Sequence, residues 1–138
     1  MTSATVDQSP DEHRWQFNGH RVTQLMIDLG SFRFQSWALD ASAEVRCGVP
    51  FTFREVGGRS LTIDPEHPEQ LAPLLTLLGR SIDTLRVHRS GELAVAFGDG
   101  SVLFVSPHPR FEAWEVRGGG ALEGLDYLCD VGGGSPWG

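Results

Sequence analysis

The sequence predicts an α+β fold: a mainly antiparallel β meander, curled into a half-barrel or sandwich, with one central helix at about residues 65–79. Three observations carry that expectation. Apolar and polar residues alternate over several short runs, the period-two signature of half-buried strands. Turn dipeptides separate the runs, Asn18-Gly19 and Asp99-Gly100 foremost, and such pairs tolerate the positive φ of a tight hairpin. One stretch only, Asp64 to Gly79, places leucines at helical spacing between a helix start signal and a stop signal.

In chain order, residues 1–13 are polar with almost nothing to bury, which predicts a disordered N-terminal tail. Ordered structure is expected from Arg14. Arg14 to Phe17 and His20 to Asp28 form a hairpin about Asn18-Gly19. A turn at Leu29-Gly30 leads into Phe32 to Trp37, which alternates cleanly. Val45, Cys47, Val49, Phe51 and Phe53 then share one face of an extended run, and Pro50 marks an edge or a break in it. Gly57-Gly58 turns the chain into Arg59 to Ile63.

Asp64 suits a helix N-cap and Pro65 the first helical position, with Glu66 and Glu69 at the positive end of the dipole. Pro73 shortens this helix, because an interior proline forfeits a hydrogen bond, and a start nearer Glu69 would keep Pro73 within its first turns. Strands follow at Ile82 to His88, Glu92 to Gly98, Ser101 to Val105 and Phe111 to Arg117. With Asp99-Gly100 as a two-residue corner, Phe97 faces Val102, and Ala94 and Ala96 share a face with Leu103 and Val105. That hairpin is apolar on both faces and is therefore expected to be covered on both, with the alanines allowing a helix close approach. The expected organisation is a tail over 1–13, a single β-rich domain over 14–128 and a Gly-rich tail over 129–138.

Composition narrows the function classes. A chain of 138 residues suits one domain. Its 11 basic residues are all arginine, a bias expected of a GC-rich genome, and 18 acidic residues bring the formal charge to −7. An acidic chain is repelled by phosphate backbones, so nucleic acid is not an expected partner; a basic protein is. No apolar run approaches a membrane span, no signal peptide is evident, and the expected location is cytoplasmic with both cysteines reduced.

No chemistry-bearing motif emerges. The five histidines lack metal-ligand spacing, Cys47 and Cys129 lie far apart, and no nucleophile elbow or phosphate loop is present. The sequence thus predicts no enzyme, no metal and no cofactor. Gly118-Gly119-Gly120 reads as flexible loop. The run Ser106 to Val116 is the most distinctive segment, a Pro-rich bend followed by an aromatic between two acids. Trp and Arg dominate interface hot spots, which nominates Arg110, Glu112, Trp114, Glu115 and the near-terminal Trp137 as partner contacts. Packing of Trp114 into the core is the competing reading.

Val95-Ala96-Phe97-Gly98-Asp99-Gly100-Ser101-Val102-Leu103, followed by Phe111-Glu112-Ala113-Trp114-Glu115, resembles a group of small actinobacterial proteins of unknown function. These share a Phe-x-Asp-Gly-Ser hairpin and a Glu-Ala-Trp strand. Similar endings occur in immunity proteins of bacterial polymorphic toxin systems. The resemblance covers residues 91–118 and implies no catalytic residue. The expected function is a non-enzymatic protein-binding domain, immunity-like, using an acidic surface. A small-ligand or enzymatic domain on a concave sheet face is the first alternative. A structural subunit, homodimeric through the Pro50 edge or exposed aromatics, is the second.

Overall fold

A computed structural model describes residues 4–38 and 40–137. Residues 1–3 and 138 of the expected tails, and Leu39, lie outside the described residues. The strands are β1 (Ala4–Gln8), β2 (Glu12–Phe17), β3 (Arg21–Asp28), β4 (Ser31–Ala38), β5 (Ala41–Cys47) and β6 (Phe51–Arg54), then β7 (Ser60–Ile63), β8 (Ile82–His88), β9 (Leu93–Phe97), β10 (Val102–Val105), β11 (Trp114–Gly120) and β12 (Asp126–Cys129). They form two antiparallel sheets. One has seven strands in the order β1-β2-β8-β9-β10-β6-β7, the other five in the order β12-β11-β5-β4-β3. The architecture is mainly β, with one short helix, and the sheets do not close into a barrel.

The inner faces of the two sheets meet in one buried cluster. Phe34 of β4 packs on Phe97 of β9 at 5.8 Å between ring centres, and Phe32 stacks on Phe51 at 6.3 Å. A 3-10 helix over Pro68–Leu77 adds Leu71, Leu74 and Leu77 to that cluster. It starts later than the Asp64 signal suggests. Asp64 does accept a hydrogen bond from the Glu66 N–H, but as a local turn, and His67 stands at the helix boundary. Prolines 68 and 73 each remove a backbone donor, and the segment winds as a tighter 3-10 helix with leucines three apart on its buried side. Past the helix, Val22 exchanges backbone bonds with Gly79 and Arg80, which ties the helix exit to β3.

Several expectations are corrected. The N-terminal segment does not trail: β1 pairs with β2 from Ala4↔Phe17 to Gln8↔His13. Its side chains are mostly exposed, so it lacks the hydrophobic alternation that betrays a strand, and its backbone pairing with β2 holds it, with Ala4 packed against the core. Asn18-Gly19 makes no hairpin either. Gly19 has φ +72°, but the turn carries the chain from the seven-stranded sheet to the five-stranded one. Phe17 and His20 are both buried and pack edge to face at 5.0 Å, so the corner folds inward. Pro50 marks a similar passage: Gly48 to Pro50 separate β5 from β6, and the alternation continues across the change of sheet.

The β9–β10 hairpin is shifted by one residue from its expected register, with Leu103 opposite Val95 and Val102 opposite Ala96. The Phe97 N–H donates to the Ser101 carbonyl and the Gly100 N–H to the Phe97 carbonyl, making a three-residue turn with Gly100 at φ +94°. One extra turn residue exchanges the faces. Leu93, Val95, Leu103 and Val105 all point inward, while Ala94, Ala96, Val102 and Phe104 share the outer face. Asp99 and Ser101 clip this corner to the chain beyond the helix. Asp99 accepts from the Ser101 N–H and Oγ and pairs with Arg80 at 2.9 Å. Burial alone would raise the Asp99 carboxyl, but these bonds and Arg80 hold it below its ordinary value.

Gly118 to Gly120 are strand and not loop. They complete β11, paired with Ala43 to Ala41 of β5. The C-terminal segment beyond β12 also returns to the body, where Trp137 stacks on His13 with ring centres 3.7 Å apart.

Candidate functional site

The outward-facing residues of the two sheets differ in kind. On the five-stranded sheet they form a ladder of compensated charge. Arg33 and Arg46 stand directly opposite each other, yet Arg33 pairs with Asp28 at 2.9 Å and Glu44 at 3.7 Å, and Arg46 with Glu112 at 3.9 Å. Arg117 pairs with Glu115 at 2.9 Å. A surface laced this way satisfies itself in water.

The outer face of the seven-stranded sheet has a different composition. Register places Arg14 of β2, Arg86 of β8, Ala94 of β9, Phe104 of β10 and Thr52 of β6 side by side across it. The next row holds Gln16, Thr84, Ala96, Val102 and Arg54. Arg54 lies over the Phe104 ring, 5.4 Å from its centre. Among the described residues, Arg14, Arg54 and Arg86 enter no ion pair. Ala94, Ala96 and Phe104 of this face are part-exposed, whereas Thr84 and Val102 are buried. A groove of about 240 Å³ opens there, lined by Arg86, Ala94 and Phe104 along its length and by Glu12, His88, Glu92 and Ser106 at one end.

Of the residues nominated from the sequence, Trp114 is fully buried, and its Nε1–H donates to the Gly91 carbonyl at 2.8 Å. It is a core residue and makes no surface for a partner. Alternation alone could not say so, because the same strand phase serves an inner or an outer face. Glu112 and Glu115 belong to the ion-paired ladder. Arg110 is exposed in the bend before β11, where its N–H donates to His108 Nδ1. Trp137 is half-buried against His13 and Tyr127. The five residues therefore do not converge on one site. The arginines of the open face went unnoticed in the sequence because they lie 32 to 40 residues apart, at positions 14, 54 and 86. Their polar strand phase is visible in each run; their adjacency is not.

The matching comparison covers most of the chain: residues 13–133 fit a family of unknown function (DUF6188). The chain belongs to the DUF6188 family. No curated protein and no solved structure matches it. For this DUF6188 chain, any activity must accordingly be argued from its own residues. Among its described residues, no three His, Cys, Asp or Glu side chains gather as a metal site would need, and no helix is long and apolar enough to cross a membrane. Cys47 and Cys129 are buried on either side of Trp114, each its register partner. Two strand spacings separate them by roughly 9–10 Å, beyond disulfide reach. Burial pushes the Cys47 thiol up to about 12, so it stays protonated and unreactive at neutral pH.

Two histidines hold inward-facing polar positions, His13 part-buried and His20 buried. His13 Nδ1 shares a hydrogen bond of 2.9 Å with the Tyr127 hydroxyl, which also accepts from Trp15 Nε1 at 3.0 Å, joining β2 to β12. His20 is fully buried; its Nδ1 meets Ser36 Oγ at 3.2 Å and its Nε2 has no partner. Burial lowers the pKa of both. Above about pH 6.5 both are neutral whether the chain is folded or not, and their contribution to stability is complete. As pH falls below that value the unfolded chain takes up protons first, and stability declines until the folded pKa is passed. Urea unfolding should therefore show a lower midpoint at pH 5.5 than at pH 7.5, with a smaller difference in His20→Gln. Equal midpoints at the two pH values would refute this assignment.

Proposed function

We propose that this chain is a non-enzymatic protein-binding domain that docks a partner on the outer face of its seven-stranded sheet. The observation that carries the reading is the part-exposed apolar patch of Ala94, Ala96 and Phe104, bordered by Arg14, Arg54 and Arg86, which enter no ion pair among the described residues. The groove of about 240 Å³ is smaller than the roughly 300–1,000 Å³ of drug-sized ligand sites, which favours a macromolecular contact. The likeness of the hairpin-then-Glu-Ala-Trp ending to endings found in immunity proteins suggests one form of this role, an inhibitor that masks another protein. The face differs from the acidic surface suggested by net charge, since the acids of the five-stranded sheet are largely engaged in ion pairs.

A photo-crosslinking residue at position 96, in the open floor, tests the reading against the same residue at position 35, on the ladder face. Crosslinking of one protein in stoichiometric yield from position 96, and not from position 35, is the expected result. Crosslinking from position 35 alone would overturn the docking face.

A further inference from the structure

We infer that β1 is an exchangeable strand: in a two-fold dimer, Ala4–Gln8 of each copy pairs with β2 of the other. The partner is a second copy of this chain. The contact lies at the edge of the seven-stranded sheet and is independent of the docking face proposed above.

The corner between β1 and β2 carries the argument. Register pairs Gln8 with His13, and the Ser9 N–H donates to the Glu12 carbonyl at 2.9 Å, so only Pro10 and Asp11 occupy the turn. Two-residue hairpins favour type I′ and II′ turns, in which the first corner residue has a positive φ. The proline ring fixes φ at about −65°, so Pro10 can adopt neither. The remaining turn types splay the strands they join. The hydrogen bonding of this corner reflects that mismatch. An ordinary hairpin closes with a second backbone bond, from the Glu12 N–H to the Ser9 carbonyl; here the Glu12 N–H donates to the Ser9 hydroxyl at 3.1 Å.

An exchanged ladder suits the same residues better. With the corner opened, residues 4–17 run as one strand, and the register continues so that Ser9 faces Glu12 of the second copy and Pro10 faces its Asp11. Bonded and non-bonded pairs alternate along an antiparallel ladder. Ser9 and Glu12 are a bonded pair, which makes Pro10 and Asp11 a non-bonded one. The N–H that proline lacks is not called for at such a position. Proline also biases the residue before it toward extended backbone, as Ser9 requires in the open hinge. No like charges oppose one another: Asp7 meets Arg14, as it does within one chain, while Asp11 and Glu12 meet Pro10 and Ser9.

Little else ties β1 to its own chain. Four of its five side chains are exposed; Ala4 packs against the core and Gln8 reaches the Tyr127 hydroxyl. A second copy's β1 supplies the same contacts in the same register, so exchange leaves the two sheets folded. The Asp11 carbonyl accepts from the Arg89 N–H at 2.7 Å, which holds the β2 side of the corner to the body and places the hinge at Ser9–Pro10.

Light scattering on the full chain should show monomer giving way to dimer as concentration rises toward millimolar. Thr5→Cys with Gln16→Cys sets a cysteine pair across β1 and β2, at a separation a disulfide can span. Oxidised dimer should carry this bond between chains and run as dimer on a denaturing gel without reductant. Pro10→Asn with Asp11→Gly supplies a type I′ corner and should raise the dimer dissociation constant about tenfold or more, with the far-UV circular dichroism unchanged. A chain that stays monomeric to millimolar concentration would overturn the exchange. So would a dimer whose engineered disulfide lies within each chain, or dimerisation unaltered by the two corner substitutions.

Discussion

Trp114→Ala should lower the unfolding free energy by about 3–5 kcal/mol, a large part of the 5–15 kcal/mol that holds a typical domain. The indole is wholly buried at the start of β11, flanked by Cys47 and Cys129, and no neighbour can collapse into its volume without moving two strands. Its N–H also satisfies the Gly91 carbonyl in the β8–β9 turn. Trp114→Phe should cost less in volume but leave that carbonyl unpaired, at about 1–3 kcal/mol. Urea unfolding followed by far-UV circular dichroism measures both. A Trp114→Ala protein within 1 kcal/mol of the parent, yet deficient in partner binding, would restore Trp114 as a surface contact.

Gly118→Ala should destabilise the chain by about 1–3 kcal/mol or more, the range for forcing atoms into a filled site. A Cβ there would collide with the Leu122 carbonyl and come within 2.9 Å of Leu125 Cβ. The Gly118 N–H donates to the Leu125 carbonyl at 2.6 Å, so the turn after β11 folds directly over this glycine. Gly124 in the same turn has nothing within 4 Å of its would-be Cβ, and Gly124→Ala is the control. Hydrogen exchange should show faster opening of β12 in Gly118→Ala than in Gly124→Ala. Equal exchange in the two would return this stretch to the flexible loop that its composition suggests.

Both results concern features that composition misreads. Glycine runs look flexible, and an aromatic between acids looks like an interface anchor. Each impression describes a residue type without its neighbours. Trp114 is inside because β11 lies between β5, about seventy residues earlier, and β12, with its phase set toward the inner face of the sheet. Gly118 is obligatory because residues 122–125 return over it, and only the folded path brings them there.

Period-two alternation determined a good deal unaided. It located most of the strands from Arg14 onward, since a side chain's inward or outward phase is written directly into successive residues. Turn residues marked Leu29-Gly30 and Gly57-Gly58, where hairpins do form. Leucine spacing located the helical segment, though prolines changed its winding. Sheet membership was decided only by tertiary structure. Asn18-Gly19 suits a hairpin or a passage between sheets equally well, because the backbone cost of the turn is the same and only the burial of Phe17 and His20 selects the outcome. The β9–β10 register was likewise decided by one residue in the Asp99 corner. The candidate interface belongs wholly to this second kind of information. Arg14, Arg54 and Arg86 are ordinary outward-facing residues in three separate strands, and long-range pairing alone gathers them around the alanine floor.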